Sequence, residues 1–589
     1  MHLSQSGGVW DSMHDYSFLE DLNPKQKEIC TSDNNFVLTA CPGSGKTRTI
    51  TYRLAYLQQK FSSSRKYNIA LTYTNRAAEE IERRLDDMGV DLSYIWTGTI
   101  HQFCMCFIIR PYAMYSDRLK KGYHIIDEYV TREYCNSIAT RLNINCQFKD
   151  PLTFPKIRAE YERLLEEKKE IDFDLILKLS FQLIRDNSFI AENIGQIIRS
   201  IHVDEYQDTQ EIQYAILARI IAANPTINLL FVGDVNQAIY GTLGSVAKSA
   251  SEIRKIYPIA FCEEELDGCY RSTQRLIDYY KQFEVHSTNA HSLAQIRDLH
   301  GRISFDNAIH KDALAKRIAD IVSLELSQGV PDKEICIAAP QWHMIFPLSR
   351  ALRKLLPDVR FDSPDVSPFR YDRTNPFFLL AQLTFTEAGT HVASRKRIAA
   401  EFLDILRADY EITIPPHIGV YGILRLINSS VDPTKDGIDC LRTVVSKLFG
   451  HIGIKSCNEQ TLSAKYTAFL NKANQRIKDY HIAHTYSDLC AFFKEKDGVV
   501  ISTLHGTKGE EYHTVIAFGF LKGYVPHWDI VINQPGIAHS ETQKMLYVIC
   551  SRAKENLYLF SETGHCTRSG SPYSITPELS SASCNYDTV

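Results

Sequence analysis

The chain has 589 residues, and 66 Lys and Arg against 70 Asp and Glu give it a formal charge of −4 at neutral pH. With 44 % apolar and 23 % charged residues it is not a largely disordered chain, and a length of this order predicts roughly three to five domains. Near-neutrality excludes a protein held to nucleic acid by bulk positive charge, because non-specific binding comes from Lys and Arg neutralising phosphates, so any DNA or RNA contact must come from local patches.

Fifteen cysteines, an odd number without a CxxC pair, argue against a disulfide framework or a four-cysteine metal site and for a reducing, cytoplasmic setting. There is no run of about 18 apolar residues, and the N-terminus lacks a basic segment followed by an apolar one. Neither a membrane span nor a signal peptide is expected.

In chain order, Phe36-Val37-Leu38-Thr39 reads as a short buried strand broken at Pro42-Gly43-Ser44-Gly45, with helical spacing from Lys46 onward. Ala40 to Thr47 thus has the form of a relaxed P-loop, with Ala40 where the strict pattern has its first glycine. Glycines let consecutive backbone N–H groups curl around phosphate oxygens at a helix N-terminus. Lys46 would neutralise the β- and γ-phosphates, and Thr47 would place its hydroxyl on Mg²⁺. Residues 111–190 are helix-like and charge-mixed, most clearly over Lys156–Glu167, and read as an insertion.

Ile197 to Val203 then runs into Asp204-Glu205, a carboxylate pair closing an apolar strand. Asp204 would hold the metal, directly or through water, and Glu205 would orient and deprotonate the attacking water. A solvated acidic turn is the plain alternative, made weaker by a second polar constellation, Gly233-Asp234-Val235-Asn236-Gln237, after the strand Leu229–Val232. Another helical stretch covers 361–490, entered through Asp362-Ser363-Pro364 to Pro368; Val499–Ile501 and Val515–Phe518 follow as buried strands. Ser561 to Val589, rich in Ser and Thr and poor in apolar residues, is expected to be a flexible tail. Alternating strands and helices predict parallel α/β domains with ligand sites at strand C-terminal ends.

Taken together, these segments resemble the UvrD/Rep/PcrA-like superfamily 1A helicases over about Leu22 to Phe560. Leu22-Asn23-Pro24-Lys25-Gln26 resembles the Q motif, which implies that Gln26 reads the adenine edge. The resemblance places the nucleotide on Pro42, Gly43, Ser44, Gly45, Lys46, Thr47 and Arg48, with Mg²⁺ on Thr47 and Asp204. Leu71 to Ala78 is similar to motif Ia and Gly98 to Cys104 to motif Ib; these imply DNA contacts by Tyr73, Thr74, Asn75, Arg76, His101 and Phe103. Motif II is Asp204 to Gln210. Gln237, in motif III (Gly233 to Gly241), is the expected γ-phosphate sensor. Tyr270-Arg271-Ser272-Thr273 resembles motif IV, implying Tyr270 stacked on adenine and Arg271 on the γ-phosphate. Thr503 to Tyr512 looks like motif V, with Glu511 on the sugar and His505 on DNA; Leu546 to Ala553 looks like motif VI, with Arg552 as the arginine finger.

The fold implied is α/β: two RecA-like P-loop domains with parallel sheets, each carrying a mainly helical insertion. Residues 20–110 with 191–265 form domain 1A and 266–360 with 491–560 form domain 2A; 111–190 is insertion 1B, 361–490 a reduced insertion 2B, and 561–589 the tail. The implied activity is an ATP- and Mg²⁺-dependent translocase or helicase moving 3′-to-5′ along single-stranded or tailed duplex DNA, in repair, recombination or anti-phage defence. Compact relatives occur in anti-phage systems such as Gabija beside a separate nuclease subunit. The alternative is therefore a regulatory DNA-sensing ATPase that controls such a partner. A P-loop kinase or transporter ATPase would leave Arg552 and Gln237 without a role.

Departures from the pattern bear on the DNA grip. Thr242 and Leu243 replace the usual Trp-Arg, removing a base-stacking platform worth about 1–3 kcal/mol. Tyr73, Phe103 and Trp342 are the remaining candidate stackers, and Arg76 stands for the usual Lys.

Overall fold

The computed structural model describes residues 16–588 except 127, 147–149, 240–247, 364–367, 370–371, 390–391, 411, 417, 454–459, 481, 494–497 and 568. Thr242, Leu243 and most of the Pro-containing entry to the second insertion lie outside the described residues.

Strands β1 (Phe36–Ala40), β2 (Tyr67–Thr72), β3 (Ile95–Thr99), β4 (Ile198–Asp204), β5 (Asn228–Gly233) and β6 (Cys262–Leu266) form an all-parallel sheet in the order β3-β2-β4-β5-β1-β6. A second all-parallel sheet holds β7 (Ile303–Asp306), β8 (Ile335–Ala339), β9 (Phe361–Asp362), β10 (Val499–Thr503), β11 (Tyr512–Ala517) and β12 (Ala553–Phe560), ordered β7-β12-β11-β8-β10-β9. Central strands such as β8, Ile335-Cys336-Ile337-Ala338-Ala339, are buried at every position, as strands covered by helices on both faces must be. Register places the chemistry. Val232 of β5 pairs with Leu38 of β1 on one side and Asp204 of β4 on the other, so the P-loop and the acidic pair leave the sheet at the same level.

The first insertion has a core of its own only between about residues 126 and 165, where Ile126, Ile138, Ile157 and Leu165 meet. Its helices Phe173–Asp186 and Ser188–Ile197 bury Leu177, Leu183, Ile190 and Ile194 in the core of the first sheet instead. The second insertion is a helical bundle with its own apolar core around Pro376–Phe385, a helix apolar on all sides and accordingly buried almost throughout.

The expectation of a flexible tail is corrected. Ser561 donates its N–H to Asp306 O (3.0 Å), Thr576 Oγ1 donates to Val525 O (2.8 Å), and the Asp587 carboxylate accepts from Ile303 N (2.9 Å) and Arg275 Nη1 (2.7 Å). Leu579 is fully buried and Tyr586 packs against Tyr279. The few apolar groups of the stretch sit where the second domain needs them, and its hydroxyls satisfy buried carbonyls. Among the described residues no helix is long and apolar enough to cross a membrane.

Candidate nucleotide and DNA site between the sheets

The C-terminal edge of the first sheet faces the N-terminal edge of the second. Arg552 immediately precedes β12 and Glu511 immediately precedes β11, whereas Lys46, Glu205 and Gln237 follow β1, β4 and β5. Between them runs a cleft that continues along the helix Asn75–Asp87 to the second insertion, about 2770 Å³ in all.

The loop after β1 turns on Gly43 (φ +73°) and Gly45 (φ +86°), a left-handed conformation that favours glycine. At Gly43 space demands glycine too: a Cβ there would stand 2.6 Å from Arg271 Cβ and 2.9 Å from Cys269 Sγ. Tyr270 N donates to Gly43 O (2.9 Å), binding the loop to the interdomain segment. Ser44 Oγ donates to Cys41 O (2.7 Å) and Lys46 Nζ to Ala40 O (3.4 Å).

Asp204 is buried, and burial, then the charge of Glu205, pushes its carboxyl up to about 7. Burial alone would raise Glu205 too, but the charges of Lys46 and Lys508, a bond from Gln207 and the charge of Arg552 outweigh it and hold that carboxyl below its ordinary value. The two neighbouring carboxylates are thus shifted in opposite directions, a pattern concentrated at functional sites. Glu205 also has φ +54°, a strained backbone for a non-glycine residue. Its carboxylate accepts from Gln207 Nε2 (2.5 Å), and Gln207 Oε1 accepts from Asp234 N (3.0 Å). The Thr47 hydroxyl and Asp204 carboxylate both line the cleft and are hard oxygen donors, a sparse set of the kind that suits Mg²⁺ shared with phosphates and waters.

From the second sheet, Arg552 Nη2 donates to Gln237 Oε1 (3.0 Å), Nε to Val548 O (3.0 Å) and Nη1 to Glu510 O (3.3 Å). Lys508 Nζ donates to Asp208 Oδ2 and to Gln237 O, both at 2.5 Å. Tyr547 OH donates to Asp234 Oδ2 (3.4 Å). Arg271 Nε donates to Glu511 Oε2 (2.8 Å). Sequence reasoning assigns no role to Lys508, Gln207, Asp208 or Asp234, although each lies inside a motif segment at a strand end.

The expected residues separate into two groups. Pro42, Gly43, Ser44, Gly45, Lys46, Thr47 and Arg48 line the cleft, as do Asp204, Glu205, Gln237, Tyr270, Arg271, Glu511 and Arg552. Tyr73, Thr74, Arg76 and His505 line it as well. Gln26 is buried behind the P-loop, where Nε2 donates to Ser44 O (3.1 Å) and Oε1 accepts from Asn23 N (3.2 Å). Arg48 leans on the Tyr52 ring at 5.2 Å. Asn75 begins the helix Asn75–Asp87, capped by Thr74 Oγ1, and is not part of the cleft lining.

Phe103 is corrected: it is fully buried, stacked on Phe107 at 5.0 Å and edge-on to Trp96 at 5.9 Å, so it belongs to the core. His101 lies off the cleft, edge-on to Phe173 at 5.6 Å, and burial pushes its imidazole down to about 4. It is absent from the cleft lining that holds Tyr73, Thr74, Arg76 and His505. Tyr73, 37 % exposed, and Trp342, exposed at the C-terminal end of β8 and stacked on Phe346, keep an accessible ring.

Nucleotide chemistry that draws residues from two sheets at once defines a P-loop motor ATPase. The profile of the UvrD/REP helicase N-terminal domain matches residues 22–152 and 147–258, and that of the UvrD-like helicase C-terminal domain matches 454–563. The chain belongs to the UvrD/Rep-like helicases. The ATP-dependent DNA helicase PcrA of Leuconostoc citreum is 30 % identical over 44 % of this chain and 38 % of its own length. Proteins of the same name from Staphylococcus epidermidis and Bacillus subtilis are each 23 % identical, over 93 % and 92 % of this chain and 84 % and 82 % of their own lengths.

Proposed function

We propose that this chain hydrolyses ATP in the cleft and uses the opening and closing of its two sheets to move 3′-to-5′ along single-stranded DNA and separate a tailed duplex, in repair, recombination or anti-phage defence. One observation carries the reading: Arg552 of the second sheet reaches Gln237 of the first, beside Lys46 and Glu205. A cation delivered from the opposite domain stabilises transition-state charge only when the domains meet, so hydrolysis is tied to domain motion.

In this reading the P-loop amides and Lys46 hold the phosphates, and Glu205, kept ionised by Lys46 and Lys508, accepts a proton from water. Gln237, held by Asp234 (Nε2 to Oδ2, 2.8 Å), reports the γ-phosphate to Arg552. Thr47 and Asp204 would hold Mg²⁺, which supplies charge neutralisation across the phosphates. Tyr270 offers an exposed ring for the base.

A DNA-sensing ATPase that controls a separate nuclease subunit is the second reading. One observation favours it: the second insertion is fastened to the first domain, with Arg373 pairing Glu79 (3.3 Å) and Arg397 pairing Glu82 and donating to Thr97 O (2.6 Å). A fastened insertion suits a device released by DNA. Strand displacement on duplexes with 3′ or 5′ tails separates the readings. Displacement from the 3′-tailed duplex supports the motor; DNA-stimulated hydrolysis with no displaced strand on either refutes it in favour of the sensor.

A further inference from the structure

We propose that Glu510 is a positioning residue that occupies Arg76 in place of a DNA phosphate, so that an incoming strand must displace it and the displacement is felt at Arg552. The inference rests on the reading that Arg76 faces the strand.

Arg76 stands in the first turn of the helix Asn75–Asp87 on the first domain, its side chain 60 % exposed, with Nε 2.9 Å from Glu510 Oε1 of the second domain. A guanidinium presents the same donor fork to a carboxylate and to a phosphate, so the two compete for one site. At this exposure the pair contributes little, which makes it displaceable by a phosphodiester held at several other points.

The loop that carries Glu510 is short and loaded with contacts. Lys508 holds Asp208 and Gln237 O, the carbonyl of Glu510 accepts from Arg552 Nη1, and Glu511 holds Arg271. Gly509, at φ +84°, makes the turn that points the Lys508 and Glu510 side chains to their separate partners. One residue therefore touches both ends of the coupling, its carboxylate at the DNA face and its carbonyl at the finger. Releasing the carboxylate frees this loop to follow Arg552 as the cleft closes on nucleotide.

The test measures anisotropy of a labelled oligothymidylate and the ATPase rate with and without it, on the full chain, for wild type, Glu510→Gln, Arg76→Ala and the double variant. Glu510→Gln is expected to tighten DNA binding roughly 1.5- to 5-fold, the change that corresponds to an exposed ion pair. It should also raise the DNA-free ATPase rate while leaving the DNA-saturated rate unchanged, whereas a merely structural loss would lower both. Arg76→Ala should weaken binding, and adding Glu510→Gln to it should change nothing more, because the competitor has lost its target. Glu510→Ala serves as a second probe with the same expected direction. Wild-type affinity in Glu510→Gln and Glu510→Ala, with Arg76→Ala still weakened, overturns the role of Glu510 and leaves the Arg76 reading standing. Wild-type affinity in Arg76→Ala overturns the reading beneath it, and the inference with it.

Discussion

Lys508 bridges the cleft through Asp208 and Gln237 O, and its removal should have a pH signature. Asp208, its partner, is fully buried; burial pushes that carboxyl up to about 7 even with Lys508 pulling it down, and its Oδ1 accepts no hydrogen bond among the described residues. A carboxyl raised above its unfolded value of 3.8 loses stabilising effect as pH climbs from there to the folded value, then levels off. Lys508→Ala drives the folded value higher still, so the extra loss appears only above pH 7. At pH 6 Asp208 is protonated in both proteins, and the variant loses hydrogen bonds to Asp208 and Gln237 O, about 1–3 kcal/mol together. At pH 8 wild type gains from ionising Asp208 beside Lys508 and the variant does not. Urea unfolding at the two pH values, with Lys508→Ala/Asp208→Asn as control, reads the difference. The destabilisation should grow from pH 6 to pH 8, by on the order of 1 kcal/mol, and stay flat in the control. An equal cost at both pH values, near the roughly 3–5 kcal/mol of a broken buried pair, would refute the reasoning by showing Asp208 ionised throughout.

Other consequences are open to direct measurement. Lys46→Ala, Glu205→Ala and Arg552→Ala should each abolish turnover, with Arg552→Ala losing about 10³–10⁵ in single-turnover rate; hydrolysis surviving in one of them would show that residue misassigned. DNA affinity should tighten less between pH 8 and pH 6 than an unperturbed imidazole at the DNA face would produce, because burial and then Lys508 hold His505 below its ordinary value and His101 stands off the cleft. Marked tightening at pH 6 would contradict this. Leu579→Ala should destabilise the second domain by about 2–5 kcal/mol in urea, since the side chain is fully buried; a loss under about 0.5 kcal/mol would return the C-terminal stretch to a loose tail.

The sequence is most legible where function is built from contiguous residues. The P-loop and Asp204-Glu205 stand out because an apolar run ends abruptly in glycine or carboxylate, and the α/β alternation follows from the same runs. Contacts between segments far apart escape that reading: Lys508 meets Asp208 300 residues away, and Arg552 meets Gln237 across 315. Phe103 was readable in principle, since Ile100, Phe103, Cys104 and Ile108 repeat at helical spacing and all are buried. The C-terminal stretch misleads because composition sums its apolar content, whereas packing depends on where Leu579 and Tyr586 fall.

Near-neutral charge also takes on a structural meaning. With Arg76 engaged by Glu510, and burial and then Lys508 holding His505 below its ordinary value, two of the expected DNA-contact cations are restrained, so grip should be modest and set by the nucleotide. The central claim is that hydrolysis in the cleft answers to DNA. Its most direct test is the steady-state ATPase rate of the purified chain with Mg²⁺, titrated with oligothymidylate. The account predicts a low rate that rises saturably with DNA, and more steeply at low salt. A rate indifferent to DNA across the titration would contradict it.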